Sequence, residues 1–386
     1  MKVLILSCHT GEGHNAAARA LKAQFDNLAI SCDIEDALRF GFKGKSALFS
    51  KGHVFLYKHL PRVFGAGYAM LEMNRKNHAL PLLYRTGKGA VKKLQAFVVE
   101  NGYDAVLCTH TFAACAMSAA RKENGFSTPF YLVITDYTCY PGLCDVKADA
   151  FFVPHKDLLW EFTAEGISPK KLIASGLPVA HEFETALPKE EAAERLGLKA
   201  HTKRVLLSGG GMGCGNMEAA AQRCAKALED CEELVVICGK NDSLRKALWE
   251  RKLPRTTVVG YTNQMSRYMD SADLFITKAG GLSSTEAAKK GLPILYMDAV
   301  PGCETHNLYF FCQKGFAKAV FCPERLAAAV RQMLSSPAAL AKMSERMKEA
   351  FPKNTAKTIC EYVIQKYNQD TLQGDVTHGS SNQENS

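Results

Sequence analysis

Residues 208–213 read S-G-G-G-M-G, a glycine-rich turn that is the strongest single indication of the fold. It follows a short apolar run at residues 205–207 and precedes a helical pattern at residues 217–228. Four glycines between a strand and a helix let backbone N–H groups approach an anion at the positive end of the helix. No Gly-Lys-Ser or Gly-Lys-Thr follows, so the stretch is not a Walker loop. It predicts a phosphate-binding loop in an α/β unit, with a merely flexible turn as the alternative on composition alone.

On both sides of this loop, short apolar runs alternate with helical patterns. In the second half of the chain, further runs lie at residues 234–237, 258–259, 274–276 and 294–296, with a helical pattern at 284–290. In the first half, runs lie at residues 3–6, 105–108, 130–134 and 151–153, with helical patterns at 16–28 and 113–121. Such alternation is typical of parallel strands joined by crossover helices. The sequence therefore predicts two Rossmann-like, doubly wound α/β domains.

The chain of 386 residues is long enough for two domains, each with its own core. The boundary is predicted at S-G-L-P, residues 175–178, because glycine and proline end one element before a charged helical run begins. The predicted domains are residues 1–177 and 178–354, and a helix at residues 355–367 is expected to complete the first. Residues 370–386 are polar and lack aromatic side chains, which predicts a disordered tail.

Composition and cysteine spacing exclude several classes of protein. No apolar run approaches the roughly 20 residues that a membrane-spanning helix needs. The run at residues 3–6 passes at once into Ser7, His9 and a glycine loop, which indicates the first strand of a cytosolic protein rather than a signal peptide. The 14 cysteines include no Cys-x-x-Cys pair, so neither a zinc ribbon nor a thioredoxin-type centre is predicted. Reduced, mostly buried thiols are the expectation.

The net charge of +9 is concentrated in one segment. Residues 40–95 contain eleven Lys or Arg and one acid, Glu72, so the rest of the chain is near neutral. The same segment carries aromatic side chains at Phe40, Phe42, Phe49, Phe55, Tyr57, Phe64, Tyr68 and Tyr84. Rings among cations are typical of a segment that lies on an anionic membrane surface. Nucleic acid is the lesser alternative, because no binding motif accompanies the charge, and an ordinary solvated helical face is the other.

The first loop, G-E-G-H-N-A at residues 11–16, follows the first apolar run and opens a helix. It fits the Gly-x-Gly-x-x-Ala dinucleotide fingerprint, with Asp33 or Asp36 about 20 residues further on, so a nicotinamide enzyme is a rival hypothesis. His14 counts against that rival, because an ionisable imidazole stands where a pyrophosphate would crowd the backbone. The alternative to a functional His14 is a polar helix-capping histidine.

Two further loops follow apolar runs in the second half. They read T-K-A-G-G-L-S-S-T-E-A-A at residues 277–288 and V-P-G-C-E-T-H-N at residues 300–307. Ser283 and Glu286 fit a helix capping box, which is the purely structural alternative for Glu286. In open α/β sheets, ligands bind beyond the carboxyl ends of the strands. Two glycine loops and a loop with Glu and Asn at such ends predict a site for a nucleotide that carries a diphosphate and a sugar.

These loops together carry a resemblance. The chain resembles a GT-B glycosyltransferase of the family containing monogalactosyldiacylglycerol synthases and processive diacylglycerol glucosyltransferases and, more distantly, the N-acetylglucosaminyl transferase of the lipid II pathway. The resemblance spans roughly residues 1–365. It rests on the loops above together with T-D-Y at residues 135–137, C-G-K-N at 238–241, and G-Y at 260–261 followed by Met265. The motifs are specific in combination and weak singly.

The resemblance implies where a UDP-sugar would bind. The loop at residues 210–213 would hold the diphosphate, Glu286 the ribose hydroxyls and residues 260–265 the uracil. Glu304 and Asn307 would face the hexose. The full donor-binding set implied is Gly210, Gly211, Met212, Gly213, Lys240, Asn241, Tyr261, Met265, Lys278, Gly280, Gly281, Ser283, Ser284, Glu286, Glu304 and Asn307.

Across the cleft, the resemblance places His14 near donor and acceptor. We predict His14 as the base for the acceptor hydroxyl or its hydrogen-bond partner, with Asp136 as the alternative base or as the group that orients the imidazole. The predicted acceptor and membrane residues are Gly13, Phe55, Tyr57, Lys58, Arg62, Phe64, Tyr68, Arg75 and Lys76. One position departs from the family, whose diacylglycerol enzymes often have Gln-Glu where this chain has Cys303-Glu304, so glucose and galactose both stay open as donors.

The predicted activity is an inverting transfer of a hexose from a UDP-sugar to diacylglycerol or a related glycolipid. No Asp-x-Asp triplet occurs, so backbone amides and helix ends are expected to stabilise the departing diphosphate, without metal or cofactor. The expected partners are the UDP-sugar, a lipid acceptor and an anionic membrane, without nucleic acid. The expected location is cytoplasmic and peripheral, on the inner face of the cell membrane. The alternatives are transfer of N-acetylglucosamine to a polyprenyl lipid, a UDP-sugar 2-epimerase, a nicotinamide dehydrogenase and a non-catalytic lipid-binding protein.

Overall fold

The first half of the chain forms a parallel sheet of six strands. The structure, a computed structural model, describes residues 1–8, 12–41, 68–70, 72–73, 87–122, 126–211, 213 and 216–379. The strands are β1 (Lys2–Ser7), β2 (Ser31–Asp36), β3 (Ala105–Cys108), β4 (Phe130–Val133), β5 (Ala150–Phe152) and β6 (Leu172–Ile173), in the order β2-β1-β3-β4-β5-β6. The helices of this half are α1 (Glu12–Asn27), α2 (Leu38–Gly41), α3 (Lys88–Glu100), α4 (Thr111–Lys122) and α5 (Leu159–Ala164).

The second half repeats this architecture. Its strands are β7 (Lys203–Ser208), β8 (Glu232–Ile237), β9 (Thr256–Val259), β10 (Leu274–Lys278), β11 (Ile294–Asp298) and β12 (Ala317–Ala319), in the order β12-β11-β10-β7-β8-β9. Its helices are α6 (His181–Glu184), α7 (Lys189–Arg195), α8 (Met217–Ala227), α9 (Asp242–Arg251), α10 (Met265–Asp270), α11 (Gly281–Lys290), α12 (Cys303–Gln313), α13 (Leu326–Leu334) and α14 (Pro337–Ala350).

Both sheets are doubly wound, which confirms the predicted fold class. The side chains of β1 show why, because Leu4 and Leu6 are buried in one apolar cluster while Val3 and Ile5 are buried in another. A strand that is apolar on both faces needs helices on both sides of a parallel sheet. The strand order reverses between β1 and β3 in the first sheet and between β7 and β10 in the second. Ligands of such sheets bind at these switch points.

The last helix, α15 (Thr355–Gly379), returns to the first sheet. Ile359, Cys360 and Val363 are fully buried in the cluster that contains Val3 of β1. The prediction of a disordered tail from residue 370 is wrong as far as Gly379, because the helix continues to that residue. Residues 380–386 lie outside the described residues. A helix that is anchored by packing propagates at one hydrogen bond per added residue, so polar composition alone does not end it.

Two connections join the halves, and they touch. Gly176 has a φ of +85°, and a Cβ placed on it would lie 2.6 Å from Cγ2 of Thr355 and 2.8 Å from Cγ of Pro352. The Glu184 carboxylate of α6 accepts hydrogen bonds from the Thr355 hydroxyl at 3.1 Å and from Lys289 Nζ at 2.7 Å. The outgoing and returning peptides are therefore bonded side by side at one edge of the molecule.

Candidate active site

A cavity of about 410 Å³ lies between the halves, at the carboxyl ends of strands in both sheets. The loops after β1, β3 and β4 form one wall, and the loops after β7, β8, β9, β10 and β11 form the other. These loops include the ones at both switch points, where a doubly wound sheet binds its ligand. The first-half lining residues are Glu12, Gly13, His14, Ala16, Arg19, Tyr68, His110, Thr111, Thr135, Asp136 and Tyr140.

His14 lies at the start of α1, and its imidazole is held by two neighbouring loops. Its Nδ1 is 2.8 Å from the carbonyl oxygen of Thr109 and 2.9 Å from Oγ1 of Thr135. A carbonyl oxygen only accepts hydrogen bonds, so the proton of the neutral imidazole lies on Nδ1 and Nε2 keeps its lone pair. Burial lowers the pKa of His14, opposed by the charge of Asp136 and by the Thr109 carbonyl. The imidazole is thereby kept neutral near pH 7, as a proton acceptor must be.

A second imidazole, which the sequence interpretation missed, lies beside the first. The rings of His110 and His14 are 4.5 Å apart between centroids and meet edge to face at 71°. His110 Nδ1 accepts a hydrogen bond from the backbone N–H of Phe112 at 3.0 Å. His110 follows β3 at the same switch point at which His14 follows β1. The signal in the sequence was a polar triplet, T-H-T, directly after a buried strand.

Asp136, the alternative base, is held by groups from both halves. Its Oδ1 accepts a hydrogen bond from Asn307 Nδ2 at 2.7 Å, and its Oδ2 accepts one from the Tyr140 hydroxyl. The hydrogen bonds of His14 Nδ1 go to Thr109 and Thr135, and the role of Asp136 as the alternative base or as the group that orients the imidazole stays a prediction. Its influence on His14 is electrostatic, through the effect of its charge on the pKa of the imidazole.

The glycine loop after β7 has the backbone geometry that its composition predicts. Gly210 and Gly213 have φ of +75° and +57°. A Cβ on Gly213 would lie 2.3 Å from the carbonyl oxygen of Cys238, and one on Gly211 would lie 3.1 Å from Cγ of Glu12. Only glycine fits such a turn without displacing its neighbours. The remaining residue of the predicted loop, Met212, lies outside the described residues.

Glu12, also missed from the sequence, reaches across the cavity to this loop. Its Oε1 accepts a hydrogen bond from Lys240 Nζ at 2.6 Å, and its Oε2 lies 3.5 Å from Arg19. The hydrogen bond from Lys240 lowers the pKa of Glu12, against the effect of burial. Lys240 Nζ also lies 5.4 Å from the ring centroid of Tyr261. A carboxylate with two cations beside it thus lies next to Gly211.

Glu286 lies on α11 and lines the cavity. The helix begins at Gly281 with Gly280 as its N-cap, so Ser283 is inside the helix and the capping-box alternative for Glu286 is wrong. Burial raises the pKa of Glu286 to about 8, and the negative charge of Glu182 adds to the effect. A buried carboxyl group whose pKa is raised so far, in the lining of a cavity, is typical of a group that binds a ligand.

Lys278 and Glu304 meet at the far end of the second-half wall. Lys278 Nζ donates to Glu304 Oε1, and Glu304 Oε2 accepts from the backbone N–H of Val300 at 3.0 Å. Both side chains line the cavity, together with the thiol-bearing Cys303 that precedes Glu304. The carboxylate predicted to face a hexose is therefore placed by a strand-end lysine and by its own loop.

Asn307 does not line the cavity, and the prediction that it faces a hexose is wrong. The residue is 0% exposed. Its Oδ1 accepts from the backbone N–H of Tyr137 at 2.6 Å, and its Nδ2 donates to Asp136 and, at 3.0 Å, to the carbonyl oxygen of Ala279. All the hydrogen-bonding groups of the amide are used within the protein, so none is available to a ligand.

Other residues of the predicted donor set also lie outside the lining. Ser284 is buried and accepts a hydrogen bond from the Tyr296 hydroxyl at 2.7 Å, and Asn241 caps α9 by accepting from the Leu244 N–H at 3.0 Å. Gly213, which lies against Cys238, and Lys240, which donates to Glu12, are likewise outside the lining. The donor residues that do line the cavity are Gly210, Gly211, Tyr261, Met265, Lys278, Gly280, Gly281, Ser283, Glu286 and Glu304.

Of the predicted acceptor residues, the structure describes Gly13 and Tyr68, and both line the cavity. The ring of Tyr68 lies on Gly302, where an added Cβ would be 3.0 Å from its Cγ. The basic aromatic segment thus contacts the loop after β11 through this one described ring. The other predicted acceptor residues lie outside the described residues, namely Phe55, Tyr57, Lys58, Arg62, Phe64, Arg75 and Lys76.

The chain matches two family models, one in each half. Residues 14–179 match the model described as monogalactosyldiacylglycerol (MGDG) synthase, and residues 204–359 match the glycosyltransferase family 28 C-terminal domain. The chain belongs to the family of monogalactosyldiacylglycerol synthases and processive diacylglycerol glucosyltransferases. The predicted family membership is therefore confirmed, and each switch-point loop described above lies in or directly beside a matched region.

Members of this family are similar to the chain over nearly its whole length. A processive diacylglycerol β-glucosyltransferase from Staphylococcus epidermidis is 24% identical over 368 residues, which are 94% of this chain and 92% of the relative. The enzyme of the same description from Bacillus pumilus is 26% identical over 374 residues, which are 95% of each chain. The predicted assignment as a hexosyltransferase agrees with both relatives.

Solved structures share the fold at low sequence identity. MurG from Acinetobacter baumannii superposes with a TM-score of 0.61 at 16% identity, over 95% of this chain and 99% of that chain. The MnaA–UDP co-structure from Staphylococcus aureus superposes with a TM-score of 0.62 at 13% identity, over 95% and 97%. These likenesses establish the GT-B architecture for this member of the family.

Within the described ranges, no group of three or more His, Cys, Asp or Glu side chains is arranged to hold a metal ion. Over the same parts of the chain, the helices are too short or too polar to cross a lipid bilayer.

Proposed function

We propose that this glycosyltransferase moves glucose from UDP-glucose to the free hydroxyl of diacylglycerol, with inversion at the anomeric carbon. The observation that carries the proposal is the buried imidazole of His14, whose Nδ1 is bonded to the Thr109 carbonyl oxygen and which lines the same cavity as the glycine loop at residues 208–211. A base on one wall and an anion-binding loop on the other are what transfer from a nucleotide-sugar requires. Glucose is favoured over galactose by the descriptions of the relatives.

The reaction is a direct displacement. Nε2 of His14 takes the proton of the acceptor hydroxyl while the hydroxyl oxygen forms a bond to the anomeric carbon. The bond from that carbon to the β-phosphate oxygen breaks, and its electron pair leaves on UDP. An α-linked donor then gives a β-glycoside. Asp136 stabilises the imidazolium that forms at His14, because its negative charge favours the protonated ring.

Backbone amides and lysines stabilise the departing UDP in this proposal, without a metal or a cofactor. The glycine loop after β7 precedes α8, so the positive end of the helix faces the loop. Lys278 lines the same wall as the glycine loop, and Lys240 lies behind that wall, with its ammonium group bonded to Glu12. Glu286 accepts hydrogen bonds from the ribose hydroxyls, and Glu304 accepts them from the hexose.

Acceptor and location follow from the basic aromatic segment at residues 40–95. Its eleven cations attract an anionic lipid surface, and its rings other than Phe40, which is buried in the core, are proposed to supply the contacts with the acyl boundary. The ring of Tyr68 on Gly302 connects this segment to the wall of the cavity. The protein is therefore proposed to act as a peripheral protein at the cytoplasmic face of the membrane, where it draws diacylglycerol from the bilayer.

The test is a transfer assay on vesicles of diacylglycerol and phosphatidylglycerol, with product detection by mass spectrometry. Separate reactions contain UDP-glucose, UDP-galactose or UDP-N-acetylglucosamine, each with and without EDTA. We expect glucosyldiacylglycerol with a β-linkage, unaffected by EDTA and absent with His14→Gln. A product from UDP-N-acetylglucosamine without lipid would support a 2-epimerase instead. No product from any donor, with vesicles bound and UDP bound, would reject the transferase.

A further inference from the structure

One buried amide joins the two halves at the edge of the cavity. Asn307 of α12 accepts a hydrogen bond from the Tyr137 N–H at 2.6 Å and donates to Asp136 Oδ1 at 2.7 Å, both across the boundary between the halves. Its second N–H donates to Ala279 in its own half at 3.0 Å. If the oxygen and nitrogen of the Asn307 amide were exchanged, the amide oxygen would face two acceptors, Asp136 Oδ1 and the carbonyl oxygen of Ala279. The hydrogen-bond pattern therefore fixes the orientation of the amide.

The loop that Asn307 contacts is docked tightly on the second half. The Tyr137 ring stacks on Phe310 with centroids 4.8 Å apart, and its hydroxyl lies 2.6 Å from Oγ1 of Thr285. A Cβ on Gly281 would lie 2.2 Å from the carbonyl oxygen of Thr135 and 3.0 Å from Asp136 Oδ1. The contact between Asn307 and Asp136 therefore exists only when this loop is seated against the start of α11.

The carboxylate of Asp136 is the charge that acts on His14. The titratable or charged groups that face the imidazole are the ring of His110 and Asp136, and Glu12 and Arg19 share its helix and the cavity wall. One carboxylate oxygen of Asp136 is bonded by Tyr140 from its own half and the other by Asn307 from the opposite half. Loss of either bond frees the carboxylate to turn away from the imidazole.

We propose that Asn307 is a positioning residue, which holds the carboxylate of Asp136 in place beside the catalytic cavity only while the two halves are closed. The inference rests on the proposed role of His14 as the base. An enzyme arranged in this way activates the acceptor hydroxyl only after the donor-binding half has docked. Water that enters an open cleft meets a weaker base, which limits hydrolysis of the nucleotide-sugar.

The test is the titration of His14 in the ligand-free protein, followed by NMR of Cε1-labelled histidine and assigned with His14→Gln. Asp136→Asn removes the charge and sets the reference decrease in the pKa of His14. We expect Asn307→Ala to cause at least about half of that decrease. The double variant should titrate like Asp136→Asn alone, because the two substitutions act through one carboxylate.

Thr285→Val is the matched control, because it removes another buried hydrogen bond to the same loop without touching Asp136. It should leave the titration of His14 unchanged. Should Asn307→Ala not fold, Asn307→Leu fills a similar volume and still offers no hydrogen bond to Asp136. An unchanged titration in the Asn307 variants, or a further shift in the double variant, would overturn the inference.

Kinetics separate this inference from the proposed function. If the wild-type protein transfers glucose, Asn307→Ala should lower kcat roughly tenfold or more and move the acidic limb of its pH profile to lower pH, with KM for UDP-glucose within about twofold. If the wild-type protein transfers no sugar, the proposed function fails while the titration of His14 still decides the role of Asn307. A loss of kcat with an unmoved pH profile would reduce Asn307 to a structural residue.

Discussion

Replacement of Glu286 by Gln should stabilise the ligand-free protein at neutral pH. Burial raises the pKa of this carboxyl group from its ordinary value of 4.5 to about 8. In the unfolded chain the same group ionises with its ordinary pKa, so between these two values the folded protein binds more protons than the unfolded one. The free energy of unfolding therefore falls as pH rises through this window. Gln has nearly the same shape and is neutral throughout, so it removes the effect.

The two pKa values set the size of the change. Each pH unit between them corresponds to about 1.4 kcal/mol. Glu286→Gln should therefore raise the free energy of unfolding by up to about 1 kcal/mol at pH 5 and about 3 kcal/mol at pH 7, with a limit of about 5 kcal/mol above pH 8, where the difference stops growing. These are upper values, because the side chain is only partly buried and water screens its charge.

Thermal unfolding of both proteins between pH 5 and pH 8, without ligand, measures the difference. A change of 1 kcal/mol moves Tm by about 2–4 °C for a domain of this size. The gap should widen from about 3 °C at pH 5 to roughly 6 °C or more at pH 7. Glu182→Gln, which removes the second and smaller cause of the raised pKa, should give a smaller gap of the same sign. The variant should also lose most of the Tm increase that UDP gives the wild-type protein. A gap that is flat with pH, or a variant that is less stable than the wild type, would refute the reasoning.

Three further outcomes are expected. His14→Ala should abolish transfer yet keep the Tm increase given by UDP, because the imidazole acts on the acceptor; equal losses of both would place His14 in the donor site instead. Glu12→Gln removes an anion beside the glycine loop and should tighten UDP binding two- to fivefold in a calorimetric titration at low salt, corresponding to about 0.5–1 kcal/mol; unchanged affinity would contradict this. Gly281→Ala brings a methyl group against the carbonyl oxygen of Thr135 and should destabilise the protein by about 3 kcal/mol, whereas Gly89→Ala, which meets nothing within 4 Å, should not; similar Tm values for the two would show that the loop is not seated on α11.

The sequence predicted the centre of each sheet better than its edges. Central strands such as β1 and β10 are apolar on both faces, and they are visible as short runs without any partner being known. The edge strands β2 and β12 were not predicted, since one reads S-C-D-I-E-D and the other A-K-A. β6, also an edge strand, has two residues. A strand that has neighbours on one side only tolerates polar side chains, and its pairing depends on the strand beside it.

The residues of the site also differ in how well the sequence predicted them. Residues on glycine-bearing strand ends were predicted, because the turn itself requires glycine and the switch point is set by strand order. Asn307 was assigned to a ligand because its position in the loop pattern said nothing about Tyr137, a partner 170 residues away in the chain. His110 and Glu12 were missed for the same reason, because the contacts that place them in the site are with residues distant in the sequence. His110 contacts the ring of His14, and Glu12 accepts a hydrogen bond from Lys240. The sequence does not show which polar groups already make their hydrogen bonds within the protein and are therefore not available to a ligand.

The return of α15 to the first sheet has a mechanical consequence. The second half is joined to the first by two peptides that lie against each other at Gly176 and Thr355. Two adjacent connections act as one hinge, which permits opening and closing of the halves and restricts their rotation. In the proposed function, a hinge of this kind would let the second half move to exchange its nucleotide while the first half keeps its place. Cutting the second peptide before residue 355 would sever one side of the hinge and open the core of the stationary half at once, so a truncated chain should lose coordinated closure together with stability.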